Sequence, residues 1–129
     1  MSETFTLIVL AETFAVSRLD KSASVPTWAC SGGWWSVTRT DDELSMVCPE
    51  AQVPAEVPSN RGWKCLQVAG PLDLTVSGVL ASLLEPLAQA RISVFSVSTF
   101  DTDYLLVKTE NLAATARLLS LAGHQILGT

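Results

Sequence analysis

Val76-Ser77-Gly78-Val79-Leu80-Ala81, then Ala90-Arg91-Ile92-Ser93-Val94, then Val97-Ser98-Thr99-Phe100-Asp101-Thr102-Asp103-Tyr104 carry the pattern from which the architecture of this chain follows. It reads as helix, strand, polar turn and strand. Val76, Val79, Leu80, Leu83 and Leu87 recur at helical spacing, which predicts a helix over Thr75 to Ala90. Pro86 lies inside that helix and is expected to kink it or loosen its last turn. From Ile92 to Ser98 the pattern alternates, with Ile92 and Val94 on one face and Phe95 and Val97 on the other. The polar residues gather where the helix begins and where the two strands meet.

Working outward, Lys64 to Ala69 reads as a strand closed by Gly70-Pro71, and Leu105-Leu106-Val107 as the strand after the polar turn. Asn111 is placed to cap a helix carrying Leu112, Ala116 and Leu119, with Gly123 as its stop. Gln125-Ile126-Leu127 forms a last short strand. The second half therefore runs strand, helix, strand, strand, helix, strand.

The first half is expected to repeat that order with its helices worn down. Thr6 to Leu10 is a buried strand, and Ala15 to Leu19 continues or pairs with it. Pro26 opens a short helical turn through Cys30, since proline is tolerated at a first helical position. Trp34 to Thr40 and Leu44 to Cys48 flank the polar Asp41-Asp42-Glu43, a hairpin pattern. Pro49 to Gly62 holds three of the six prolines, reads as a loop or broken helical turn, and marks the seam. All four tryptophans lie at or before Trp63. The expected class is α+β, with antiparallel sheets carrying helices on one face, because short strand-to-strand hairpins require antiparallel neighbours.

Composition narrows the function. The 129 residues are 48% hydrophobic and 16% charged, with 13 acidic and 8 basic side chains giving a net charge of −5. No two Lys or Arg residues are adjacent, so the electrostatic footprint of a nucleic-acid binder is missing. No window approaches the ~18 uninterrupted apolar residues of a membrane span. Met1-Ser2-Glu3-Thr4 carries no basic residue, so the run after it is expected as a strand, not a signal peptide. Cys30, Cys48 and Cys65 are odd in number and widely spaced, which favours reduced thiols in a cytoplasmic protein over a zinc site or disulfide framework. No cofactor is expected: phosphate-loop and dinucleotide fingerprints are both missing. A catalytic triad would have to use the lone His124, which instead reads as a residue at a helix C-terminus. No enzyme activity is expected.

The second half resembles the ACT domain, a small ligand-sensing module. In that family a polar loop leads into a helix opening with a Gly-hydrophobic-hydrophobic run, matched here by Asp73 and Gly78-Val79-Leu80. The family's helix ends at a small residue and a glycine before an Ile-rich strand. Ala90 and Ile92 match that pattern, and Arg91 stands in place of the glycine. Ser36-Val37-Thr38-Arg39-Thr40 with Glu43-Leu44-Ser45, and Ser98 to Tyr104, extend the likeness to nearly the whole chain. It resembles small bacterial two-ACT proteins related to the aspartokinase regulatory domain and to the cytosolic arginine sensors of animals. The resemblance implies two ferredoxin-like βαββαβ units, a degenerate one over residues 1–62 and an ACT domain over residues 63–129.

It also implies a small-molecule ligand, of amino-acid class, and a homodimer. Thr75, Ser77 and Gly78 open a helix, whose N-terminus suits a carboxylate. Asp73, Asp101 and Asp103 offer acceptors for an ammonium or guanidinium group. The ligand is expected between the loop from Asp73 to Gly78 and the turn Thr99-Phe100-Asp101-Thr102-Asp103, closed by Ser36-Val37-Thr38. The blander account is turn chemistry for Asp101 to Asp103, capping for Thr75, and an interaction module that has kept the fold without a ligand. Leu105 to Val107 and Trp34 to Val37 are the strands expected to meet a symmetry mate.

Overall fold

The structure is a computed structural model that describes residues 3–72 and 77–128. Seven strands, two α-helices and three single 3-10 turns account for the regular elements among the described residues. The strands are β1 Thr6–Leu19, β2 Ser36–Arg39, β3 Leu44–Pro49, β4 Ser59–Val68, β5 Phe95–Ser98, β6 Asp103–Lys108 and β7 Gln125–Leu127. The helices are α1 Val79–Gln89 and α2 Leu112–Leu121. Two compact units emerge: Glu12–Trp63, and the residues up to Ala11 together with those from Lys64 onward. β1 and β4 each give one end to either unit.

In the larger unit the strand order is β7-β1-β4-β6-β5. Its core explains why the chain folds this way. Leu7 and Val9 on β1, Leu66 and Val68 on β4, and Leu105 and Val107 on β6 are spaced by two, so each pair points to one face. On that face they meet Val79, Leu83 and Leu87 of α1, spaced by four, and Leu119 of α2. Ten buried apolar side chains join in this way, the two-period of the strands meeting the 3.6-period of the helices. β5 pairs with β6 antiparallel through Phe95↔Leu106 to Ser98↔Asp103.

In the unit Glu12–Trp63 the order is β2-β3-β1-β4, with β1–β3 and β2–β3 antiparallel. Where the other unit has helices, this one has 3-10 turns at Thr27–Cys30 and Glu50–Gln52. Trp28 packs against both small clusters of the unit, Ala15-Cys48-Val53 and Ala29-Leu44-Met46. Trp34 meets the ring of Phe14 edge to face at 5.5 Å.

Several expectations change. α1 starts at Val79 with Gly78 as its N-cap at φ 81, so the helix is shorter than the apolar spacing suggested; Thr75 lies outside the described residues. Asn111 occupies the N-cap of α2 but makes no side-chain cap bond, whereas Gly123 ends the helix at φ 102 as expected. Thr115 of α2 is fully buried and its Oγ1 has no partner among the described residues. The seam is not loop to its end: Ser59 to Gly62 belong to β4. The Arg18 amide donates to Pro58 O at 3.1 Å and the Ser17 and Ser59 hydroxyls pair at 3.0 Å, which zips this stretch onto β1.

The sheet is not wholly antiparallel either, since β7 pairs with β1 parallel, Thr6↔Gln125 to Ile8↔Leu127. β7 is reached through α2 and not a hairpin, so no tight turn dictates its direction. The strand Leu105 to Val107 cannot serve as an interface edge: β6 lies between β4 and β5, and all three residues are fully buried. Their unbroken apolar run signals burial on both faces.

Candidate functional site

The turn between β5 and β6 is built from its own hydroxyls. The Thr99 amide and Oγ1 both donate to Thr102 O, at 2.8 and 3.0 Å, and the Thr102 amide donates back to Thr99 Oγ1 at 3.2 Å. Ser98 Oγ donates to Asp103 Oδ1 at 2.6 Å, so one oxygen of that carboxylate is already engaged. Phe100, at the tip, is 81% exposed.

This turn is fastened to the end of β4. Thr102, only 5% exposed, donates from Oγ1 to Val68 O at 2.5 Å, and the Leu72 amide donates to Asp101 O at 2.6 Å. A Cβ at position 70 would lie 3.1 Å from Asp101 O and 3.3 Å from Thr102 Cβ, so a side chain there would have to push the turn back by a few tenths of an ångström. The structure thus brings the turn against residues 70–72, while most of the loop expected to face it, residues 73–76, lies outside the described residues. Asp101 contributes through its carbonyl.

The helix N-terminus forms the second part. Ser77, Gly78, Val79 and Ser82 line a cleft of about 280 Å³ together with Glu3 and Phe5. No side chain caps α1, and its first amides have no intrahelical acceptor. The residual positive end of the helix faces the same space as the Glu3 carboxylate. One wall therefore suits an anion and the other a cation. Glu3 and Phe5 were not among the site residues expected from the sequence; they sit more than 70 positions from Gly78. The turn residues Thr99, Phe100, Asp101 and Asp103 are not in this lining. Asp73 and Thr75 lie outside the described residues. Ser36, Val37 and Thr38 form β2, an edge strand of the unit Glu12–Trp63, and Val37 packs against Ala29, Leu44 and Met46.

Phe5 is held by His124. The Phe5 amide donates to His124 Nδ1 at 3.0 Å, and the two rings stack at 5.7 Å with an 18° interplanar angle. His124 is 6% exposed, and its burial lowers the pKa of the ring. Among the thiols, burial pushes Cys65 up to about 12 and raises Cys48, while Cys30 is exposed. Neither His124 nitrogen is paired with a hydroxyl, thiol or carboxylate among the described residues, and no group of three metal-ligating side chains occurs among them. No described helix is long and apolar enough to cross a membrane.

Residues 58–120 match the model of the ACT domain, and residues 12–56 match the model of an N-terminal domain from a further family. A protein of Agobacterium tumefaciens, known from its crystal structure, is 41% identical with a TM-score of 0.93, over 98% of this chain and 94% of that one. Subunit 1 of the mouse cytosolic arginine sensor for mTORC1 is 28% identical over 130 residues, which is 88% of this chain and 39% of the sensor. The chain thus spans about two fifths of that relative's length. The ligand-free regulatory subunit of aspartate kinase from Thermus thermophilus superposes with a TM-score of 0.63 at 7% identity, covering 89% of this chain and 97% of that one. That last likeness is one of fold.

Proposed function

Because the chain belongs to one family with the Agobacterium tumefaciens protein and matches the ACT domain over residues 58–120, we propose that it is a regulatory protein that binds a small molecule, an amino acid, and has no catalysis of its own. The observation that carries this reading is the cleft at the uncapped start of α1, where helix amides and the Glu3 carboxylate face one space. A zwitterion needs both. In the proposed mode the amides at Ser77, Gly78 and Val79 hold the ligand carboxylate. Glu3 takes its ammonium group. Asp103, with Asp73 and Asp101, serves a cationic side chain.

The order strand, helix, strand, strand, helix, strand runs from β1 to β4 and again from β4 to β7, sharing β4, which supports the reading of two ferredoxin-like ACT units, one of them with its helices reduced to 3-10 turns. The protein is proposed to act in the cytoplasm as a homodimer. β2 is the edge strand available for pairing with a symmetry mate. A second reading, an interaction module without a ligand, draws on Phe100, whose exposed ring at a turn tip fits a protein partner better than a core.

A thermal-shift screen against the common amino acids separates the two. A ligand at one hundred times its Kd stabilises by about 2.7 kcal/mol, which such a screen reads directly. Removing one charge-assisted hydrogen bond costs roughly 1.5–3 kcal/mol, so Asp103→Ala should weaken the hit about ten- to hundredfold, and Glu3→Gln, at an exposed position, up to about fivefold. If no amino acid shifts the transition, the interaction module becomes the reading.

A further inference from the structure

A second cleft, of about 310 Å³, is lined by Ser82, Glu85, Pro86 and Gln89 of α1 and by Ala122 and His124 at the end of α2. Ser82, Glu85 and Gln89 are spaced by three and four, so α1 turns one polar stripe toward it. Its floor holds the only histidine of the chain, 94% buried by its 6% exposure. Because His124 Nδ1 accepts the Phe5 amide, the neutral ring must carry its proton on Nε2. That N–H has no acceptor among the described residues. The N–H is open to the cleft, where a ligand oxygen can take it.

The tautomer also selects the ligand. A metal ion needs a bare ring nitrogen, and here the nitrogen left over is protonated, so a cation bound through His124 is ruled out. Nε2–H is a donor and suits an oxygen acceptor. Beside it, the Glu85 carboxylate and the C-terminal turns of α1 and α2 favour positive charge and repel a simple anion. The Gln89 amide serves either kind of group, and Ser82 Oγ, which donates to Val79 O at 3.1 Å, keeps its lone pairs. We propose that this cleft is a binding site for a small amine bearing a nearby oxygen acceptor, the oxygen on His124 Nε2–H and the ammonium on Glu85. It stands apart from the cleft at the start of α1 and does not depend on the reading given to that one.

The single histidine makes the test direct. Ring nitrogen resonances of the whole protein are followed by NMR while ethanolamine or glycinamide is added, with ethylamine as the probe lacking the acceptor. Ligands of so few atoms bind at about millimolar. The expected result is the Nε2–H tautomer in the free protein and a saturable shift of that signal with ethanolamine or glycinamide, at least tenfold weaker with ethylamine. Glu85→Gln, at an exposed position, should weaken binding up to about fivefold. His124→Asn keeps an acceptor for the Phe5 amide, but its shorter amide does not reach the Nε2 position, so it should weaken binding at least tenfold while the protein stays folded; Glu56→Gln, outside the lining, should leave binding unchanged. An Nδ1–H tautomer, a shift that fails to saturate, or full affinity in Glu85→Gln would overturn the proposal.

Discussion

Replacing Thr102 by valine keeps the volume of the side chain and removes one hydroxyl. That hydroxyl donates at 2.5 Å to the carbonyl of Val68, and Val68 is fully buried. The other bonds of Thr102 are made by its backbone: its amide to Thr99 Oγ1, and its carbonyl to the Thr99 amide and hydroxyl. The variant therefore strands one buried acceptor and leaves the turn otherwise closed. An unsatisfied buried acceptor costs about 1–3 kcal/mol. At this chain length that is roughly 3–15 °C in Tm. Thr102→Ser is the matched control, since it keeps the hydroxyl and loses a methyl, about 0.8 kcal/mol of burial. Urea unfolding, with the slope checked for constancy, measures both. Valine must be the more damaging of the two. If Thr102→Val is as stable as Thr102→Ser, the bond to Val68 does not fasten the turn to β4 and the account of this half of the site fails.

Three more outcomes are expected. Burial lowers the pKa of His124, so the unfolded chain binds the proton more tightly than the folded one; stability is retained above the ordinary value of 6.5 and falls as pH drops below it, a decline that thermal melts should show and that His124→Asn should flatten. Arg91 sits at φ 60, where a side chain costs about 1–2 kcal/mol against the 0.4–1 kcal/mol of unfolded-state freedom that glycine adds, so Arg91→Gly should stabilise by roughly 0.5–1 kcal/mol; a loss in urea melts would refute it. With Cys65 pushed up to about 12, Cys48 raised and both buried, iodoacetamide at mildly alkaline pH should label Cys30 alone in the native protein, as mass spectrometry reads.

Those elements whose apolar spacing is unambiguous were legible before any coordinates. Val79, Leu83 and Leu87 announced α1, Leu105 to Val107 a strand though not its place inside the sheet, and Asp41 to Glu43 a hairpin turn, because each pattern is local. Gly78 shows the limit: Val76 continues the helical spacing, yet the helix begins only after a left-handed residue that the spacing does not reveal. Ser59 to Gly62 looked like loop because prolines precede them, while pairing with β1 makes them strand. The site divides in the same manner. Ser77, Gly78 and the turn Thr99 to Asp103 were marked by polar residues at element ends. Glu3, Phe5 and the His124 ring carry no local signal, since what gives them their roles is a contact across 119 positions.

That contact bears on how the chain assembles. β7 has three residues, and its parallel seat on β1 closes a loop of nearly the whole sequence. Loop closure costs entropy that grows with the logarithm of length, and a contact between such distant residues comes late unless something nearer has already gathered them. The hairpin β5–β6 and the pair α1–α2 can form from neighbours, whereas β7 must wait for them. Joining the two ends through a short linker and opening the chain at the exposed Asp41–Asp42 turn would make the slowest contact a local one, turning the last event of folding into one of the first.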